Sequence, residues 1–530
     1  MTCGRLAVVG ANLADLVQDA AATRPDVSAV VSAGRTTSWA ELDRLVHAVS
    51  GGLTARRLDR GDRVAIVIGN SLEFVTSYFG ILRAGLVAVP MNTSYTPAEI
   101  DAVLRSSGAK LVVADRGTAQ AVRAAAGKEV PVVEVGSDEW RRLTVGSTPP
   151  PSEQTDPESL AVLIYTAGTS GKAKGAMLTH RALLANLDQL SAVTDPPPML
   201  PADVVLIVLP MFHIYALNAA LGMVAKTGAT AIIADRFEPY ATLDLIRANK
   251  VTNIAGAPPM YVAWSAVPDI GQQLGGVRMM ASGAAPLPPA VFQQFSTAGL
   301  TIWEGYGMTE ASPVICSTVV GGKSKPGSVG HSLPGIYLRL MDDSGQAVAE
   351  GDPGEIVIQG ANLFSGYWPD SSDGPDAEGW FATGDVAIAD FDGDLRLVDR
   401  RTDLILVSGF NVYPAEVEGV IAMAPGVREV AVLGVAHPYT GEAVKALVVA
   451  KPGITVTPED IVEFAQTRLA RFKTPTIVEL VDELPRSVTG KVMKGWLRAQ
   501  PGHETSAADL IAEAEAQAED TESAAAEESG

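Results

Sequence analysis

The sequence predicts an α/β fold: a large N-terminal domain of parallel-sheet βαβ subdomains with a small β subdomain, then a small α+β C-terminal domain. Two observations predict it. Short β-branched runs alternate with amphipathic stretches, and a chain of 530 residues with 47% apolar content is too long for one ordinary core but rich enough to bury several. In order, the runs place strands over 64–68, 86–89 and 110–114, with helices over 71–83 and 97–107 between them, the pattern of a parallel sheet. Trp39, Leu42, Val46, Val49 and Leu53 recur at helical spacing and define one buried helix face. A second set of strands is expected over 204–209 and 231–234, around Ile254, and over 277–281. Segments 145–157 and 193–202, rich in Pro, Ser, Thr and Asp, read as surface connections. Strands over 354–360 and 395–399 suggest the β subdomain. The run 404–407 opens the C-terminal unit, with helices over 414–422 and 458–469 and strands over 430–435 and 443–450.

Composition excludes several classes. A formal charge of −21 would repel a phosphate backbone, so general nucleic-acid binding is not expected. Cys3 and Cys316 cannot make a disulfide framework, and the 6 histidines show no metal-ligand spacing, which points to a reducing cytoplasm and no structural zinc. The apolar stretch 6–9 is cut by Asn12 and Asp15 before a secretory leader is complete, and no stretch of the length a membrane span needs is uninterrupted. A soluble protein follows, with peripheral membrane contact left open and oligomeric state, monomer or homodimer, unspecified. Residues 501–530 carry no Lys or Arg and are mostly Ala, Ser and acids, which reads as a disordered solubilising tail.

The most informative segment is Tyr165-Thr166-Ala167-Gly168-Thr169-Ser170-Gly171-Lys172-Ala173-Lys174-Gly175. Glycines turn backbone N–H groups toward an anion, the hydroxyls add short donors, and Lys174 adds a point charge, so the segment suits a phosphate. It is not a Walker A loop, because Ala173 follows Gly171-Lys172 and Thr166 stands where that pattern needs glycine. The reading places it as a loop between a strand over 160–165 and a helix from about 180. Downstream come Ser282-Gly283-Ala284-Ala285-Pro286-Leu287, Tyr306-Gly307-Met308-Thr309-Glu310, Thr383-Gly384-Asp385 and Pro485-Arg486-Ser487-Val488-Thr489-Gly490-Lys491.

Together, in this order and over residues 13–498, these segments resemble the adenylate-forming superfamily, and among its members the AMP-forming acyl-CoA synthetases. The resemblance implies a large N-terminal domain over 1–399, a hinge over 400–403 with Thr402 where Asp or Lys is usual, and a mobile C-terminal domain over 404–500. It implies ATP, Mg²⁺ and CoA. A carboxylate has no usable leaving group, so ATP first converts it to a mixed anhydride with AMP, and CoA then takes the acyl group. The charge that builds at the α-phosphorus calls for a metal ion and fixed cations.

Residue by residue, the resemblance assigns Glu310 and Thr166 to the metal. Nucleotide contacts would come from Thr166, Gly168, Thr169, Ser170, Gly171, Lys174, Thr309 and Lys491 toward phosphate. Gly283, Ala284, Ala285, Glu304, Gly305, Tyr306 and Gly307 would surround the adenine, and Asp385 and Arg400 would hold the ribose. Lys491, His213, Thr309 and Glu310 would be the catalytic group. His213, in Pro210-Met211-Phe212-His213-Ile214-Tyr215, stands where amino-acid-activating members carry an Asp; it would line the acyl pocket with Gly256 and Gly305. Gly409, Phe410, Phe472 and Lys473 would meet CoA. Small residues at the pocket suggest room for a medium- or long-chain fatty acid. An aryl- or dicarboxylate-CoA ligase, an acyl-AMP ligase loading a carrier protein, a luciferase-type oxygenase and a catalytically idle binding protein are the alternatives, although Lys174, Glu310, Asp385, Arg400 and Lys491 are all intact against the last.

Overall fold

The computed structural model of the chain describes residues 12–56, 58–144, 155–167, 173–342, 344–400, 403, 405–407, 410–437, 441–486 and 491–498. The chain divides into two compact units. One runs through Arg339 and includes Val357–Thr383 and Ala389–Arg396; the other comprises Leu340–Ile356, Gly384–Ile388 and the chain from Leu397.

Two sheets build the first unit. The six-stranded sheet runs in the order Val132–Glu134, Leu111–Ala114, Arg63–Val67, Val87–Pro90, Leu160–Ala167, Ala173–Thr179. Its pairings are parallel except the last, which is an antiparallel hairpin. Both crossover helices start where local chemistry allows. Ser71 accepts the Phe74 N–H at 3.2 Å ahead of Leu72–Arg83, and Thr96 forms a reciprocal capping box with Glu99 ahead of Pro97–Ser107, which ends on Gly108 at φ +62°. Val67, Val89, Val112, Leu163 and Met177 bury one face of this sheet under the helices Pro97–Ser107 and Ala119–Ala126.

The nine-stranded sheet is mixed. Its parallel centre, Ile302–Gly307, Met279–Ser282, Asn253–Gly256, Val204–Ile207, Thr230–Ile233 and Ser28–Ser32, is flanked by antiparallel edges, Val314–Ser317 with His331–Ser332 on one side and Arg35–Ser38 on the other. Trp39, Leu42, Val46, Val49 and Leu53 are all buried on the helix Trp39–Thr54, as their spacing requires.

The strands Ile336–Met341, Gly354–Gly360, Trp380–Ala389 and Leu395–Arg400 form a four-stranded sheet in that order. In the second unit Gly441–Ala450 is the central strand of a five-stranded sheet, pairing antiparallel with the edge strand Val427–His437 and with Ile405–Val407. Ile477–Leu480 adds to it in parallel, and the helices Pro414–Ile421 and Pro458–Gln466 cover it. No helix among the described residues is long and apolar enough to cross a membrane. The tail 501–530 lies outside the described residues.

Candidate active site

The phosphate segment departs from the sequence expectation in one respect. A second strand, Ala173–Thr179, precedes the helix His180–Ser191 and pairs antiparallel with Leu160–Ala167, so the described part of the segment does not lead from one strand straight into the helix. The strand was hidden because Ala173-Lys174-Gly175-Ala176 lacks the β-branched residues that mark strands. Gly168, Thr169, Ser170 and Gly171 lie outside the described residues. Thr166 and Lys174 are register partners at the ends of the two strands, and side chains directly opposite in an antiparallel pair project from the same face.

Next to the hairpin, Phe364–Trp368 is threaded along Ala173–Thr179. Ser365 donates its N–H to Met177 O, Met177 to Gly366 O, and Trp368 to Gly175 O, at 3.0, 3.1 and 2.8 Å. Lys174 Nζ lies 2.8 Å from Asp373 Oδ2 and 5.0 Å from the centre of the Tyr367 ring. The Tyr367 hydroxyl donates to Glu310 Oε1 at 2.6 Å. Tyr367 and Asp373 carried no sequence signal, since an aromatic after glycine and an acid in a loop are common on any surface.

The parallel pairing of three strands ends together at Gly256, Ser282 and Glu304, which are Cα partners across the sheet, while the strand Ile302–Gly307 runs on beyond Glu304. Their continuations therefore emerge side by side at the carboxyl edge, the usual place for a ligand in an open α/β sheet. Ala284 there adopts φ +72° and is exposed, and Tyr306 is buried. Gly307 is required by packing: a Cβ would stand 2.1 Å from Pro313 O, the carbonyl that accepts the Met308 N–H at 2.9 Å and shapes the turn into Thr309 and Glu310. Gly305 is less crowded, its Cβ position lying 3.2 Å from Cys316 O. Glu304 turns its carboxylate onto backbone, accepting from Leu287 and Gly327 at 3.2 and 3.3 Å, and burial pushes its carboxyl up to about 7.

His213 precedes a π-helical stretch, Tyr215–Gly222, a form that concentrates at functional sites. Its Nδ1 lies 3.4 Å from the Tyr215 N, with the N–H pointing at it, which leaves the neutral imidazole's proton on Nε2; burial holds the imidazole below its ordinary value. Tyr215 and Tyr261 cover the glycine surfaces nearby. The Tyr215 ring is 3.4 Å from where a Gly283 Cβ would stand. The Tyr261 hydroxyl is 2.9 Å from the same point on Gly256, and it donates to Ala281 O at 2.8 Å.

Of the remaining residues, Asp385 is buried in the strand Trp380–Ala389 after Gly384, which sits at φ +75° and donates to Glu355 Oε1 at 3.2 Å. Arg400 ends the strand Leu395–Arg400. Lys491 is exposed beside Val492, whose backbone bridges to Arg486. Phe472 packs against the second unit's core, and Lys473 Nζ sits 2.7 Å from both Glu416 oxygens. Phe410 begins the strand Phe410–Val412; Thr402 and Gly409 lie outside the described residues. The carboxylates of Asp390, Asp392 and Asp394 converge, but Lys325 Nζ stands among them, 2.7 Å from Asp392 and 3.4 Å from Asp390, and supplies their positive charge.

Against known proteins, residues 17–368 match the model of the AMP-binding enzyme family and residues 416–491 that of the AMP-binding enzyme C-terminal domain. Feruloyl-CoA synthase from Amycolatopsis sp is 36% identical over 488 residues, covering 90% of this chain and 96% of that protein. Long-chain-fatty-acid–CoA ligase from Escherichia coli O157:H7 is 33% identical over 528 residues, covering 92% and 94%. The structure of ATP-bound MatB from Rhodopseudomonas palustris superposes with a TM-score of 0.86 at 34% identity, covering 92% of this chain and 98% of that one. The chain belongs to the AMP-binding enzyme family, as an AMP-forming acyl-CoA ligase that uses ATP and CoA.

Proposed function

We propose that the ligase activates a compact, flat carboxylic acid of the aryl or arylpropenoic class. The observation that carries this reading is the pair of tyrosines on the glycine surfaces. The small residues Gly256 and Gly305 suggest depth for a fatty chain, but the buried Tyr261 hydroxyl already fills the space at Gly256, and the half-buried Tyr215 ring beside Gly283 offers a planar wall. The relatives act on both kinds of acid by name, feruloyl and long-chain fatty acyl, which keeps fatty acids in the test.

In this reading His213 donates from Nε2 toward the bound carboxyl. Glu310 fits Mg²⁺: it is a buried hard-oxygen donor with Oε1 held by Tyr367, while Oε2 accepts no hydrogen bond among the described residues. With ATP bound, the ion would neutralise phosphate charge. Thr166 and Lys174 face the same phosphates, Thr309 adds a donor, Tyr306 and residues 283–285 receive the adenine, and Asp385 accepts from the ribose hydroxyls. Lys491 acts in the first half-reaction only, and Lys473 and Phe472 serve CoA. Purified protein with ATP, Mg²⁺, CoA and a panel of aryl, dicarboxylic and fatty acids tests this. Mass spectrometry should find AMP and aryl-CoA with aryl acids preferred. A preference for long-chain fatty acids would reject the flat-slot reading while keeping the ligase.

A further inference from the structure

Tyr367 touches both charged groups of the phosphate site. Its hydroxyl donates to Glu310 Oε1 at 2.6 Å, and its ring carries Lys174 Nζ 5.0 Å from the centroid, within cation–π range. Contacts of Tyr367 and of its neighbour Phe364 hold it there. Phe364 packs edge-on at 5.1 Å between centroids, the Tyr367 N–H donates to Ser372 O at 2.9 Å, and Phe364 donates its N–H to the Glu310 carbonyl at 2.9 Å. The turn behind it admits no side chain at Gly366, where φ is +96° and a Cβ would stand 2.3 Å from Ser371 O. Ser371 and Asp373 sit at φ +62° and +51°, strained for their residue types, so the segment is a built turn and not a slack loop.

We propose that Tyr367 is the positioning residue that aims Glu310 at the cation. It does so by occupying Oε1 and fixing the side-chain rotamer, so that Oε2 is presented to the ion. The inference rests on the reading of Glu310 as the metal carboxylate. A hydroxyl donating to a carboxylate is a strong hydrogen bond, and losing it frees the Glu310 side chain to explore rotamers that do not face the ion.

The test uses Tyr367→Phe, which keeps the ring, the Lys174 contact and the packing on Phe364. Mn²⁺ binding to the full chain with ATP present, followed by electron paramagnetic resonance, should show half-saturation at roughly tenfold higher metal concentration, by the usual weight of a bond to a charged group. At saturating metal, KM for the acid and the thermal midpoint should stay near the parent values, which a merely structural role for the hydroxyl would not predict. Metal binding equal to or tighter than the parent would overturn the proposal. Glu310→Gln separates the two layers. If it weakens metal binding and Tyr367→Phe does not, only the positioning role fails; if Glu310→Gln leaves binding unchanged, the metal reading fails and the positioning role with it.

Discussion

The Glu304 carboxylate accepts the backbone N–H of Leu287 at 3.2 Å and so ties the strand Ile302–Gly307 to the loop that follows Ser282. A side chain inside the Glu304-Gly305-Tyr306-Gly307 run thus braces the two segments assigned to adenine, with its second oxygen on Gly327.

This brace has a pH signature. Burial raises the Glu304 carboxyl from 4.5 to about 7, only partly offset by the Leu287 and Gly327 N–H groups and by Arg396. Its stabilising contribution is complete below pH 4.5 and is lost as pH rises through 7. His180, buried with Nδ1 accepting the Leu13 N–H at 3.0 Å, is pushed from 6.5 down to about 4, by burial first and then by Arg60. Its contribution is complete above pH 6.5 and is lost as pH falls through 4. Each is worth on the order of 3 kcal/mol, so the two slopes nearly cancel between pH 4 and 7. His180→Gln should therefore lose stability as pH climbs from 5 to 7 and Glu304→Gln should gain it. Denaturant midpoints across that range check this, and parallel profiles for the two variants would refute it.

Gly307→Ala should be the costliest glycine change at the site. The new Cβ meets a backbone carbonyl at 2.1 Å, so the turn carrying Thr309 and Glu310 must move. A misplacement of about 1 Å can cost roughly 10²-fold in rate, and adenylation measured by pyrophosphate release should fall at least that far. Near-parental release would show that the turn is not where the chemistry occurs.

Tyr215→Ala should convert the flat slot into a deeper one. The kcat/KM for a medium-chain fatty acid relative to an arylpropenoic acid is expected to rise on the order of tenfold, as pocket contacts of this size discriminate by about 1–3 kcal/mol. Unchanged relative kcat/KM would place the acyl group elsewhere.

Lys491→Ala should reduce adenylation by roughly 10²-fold or more, the usual effect of removing one electrostatic stabiliser, while thioester formation from supplied acyl-adenylate continues. Single-turnover assays of each half-reaction check the split; equal losses in both would remove Lys491 from its proposed role.

Much of this was legible in the sequence. The β-branched runs 64–68 and 110–114 became Arg63–Val67 and Leu111–Ala114, and the helix Pro97–Ser107 kept its expected bounds because Thr96, Pro97 and Gly108 mark them. The strand Ala173–Thr179 was not, because sheet pairing overrode its weak propensity. Nor was the pocket: Gly256 reads as empty space, and only packing reveals the Tyr261 ring against it. Tyr367 and Asp373 lie nearly 200 residues beyond Lys174 in the chain, and that pairing is a property of the fold alone.

The most direct test of the chemistry follows one oxygen. With a carboxylic acid labelled with ¹⁸O in its carboxylate, attack on the α-phosphorus and later displacement by the CoA sulfur must leave one labelled oxygen in AMP. Mass spectrometry of the products should find that label in AMP and none in pyrophosphate. Label in inorganic phosphate, with ADP as the other product, would contradict an acyl-adenylate and with it the account of the site.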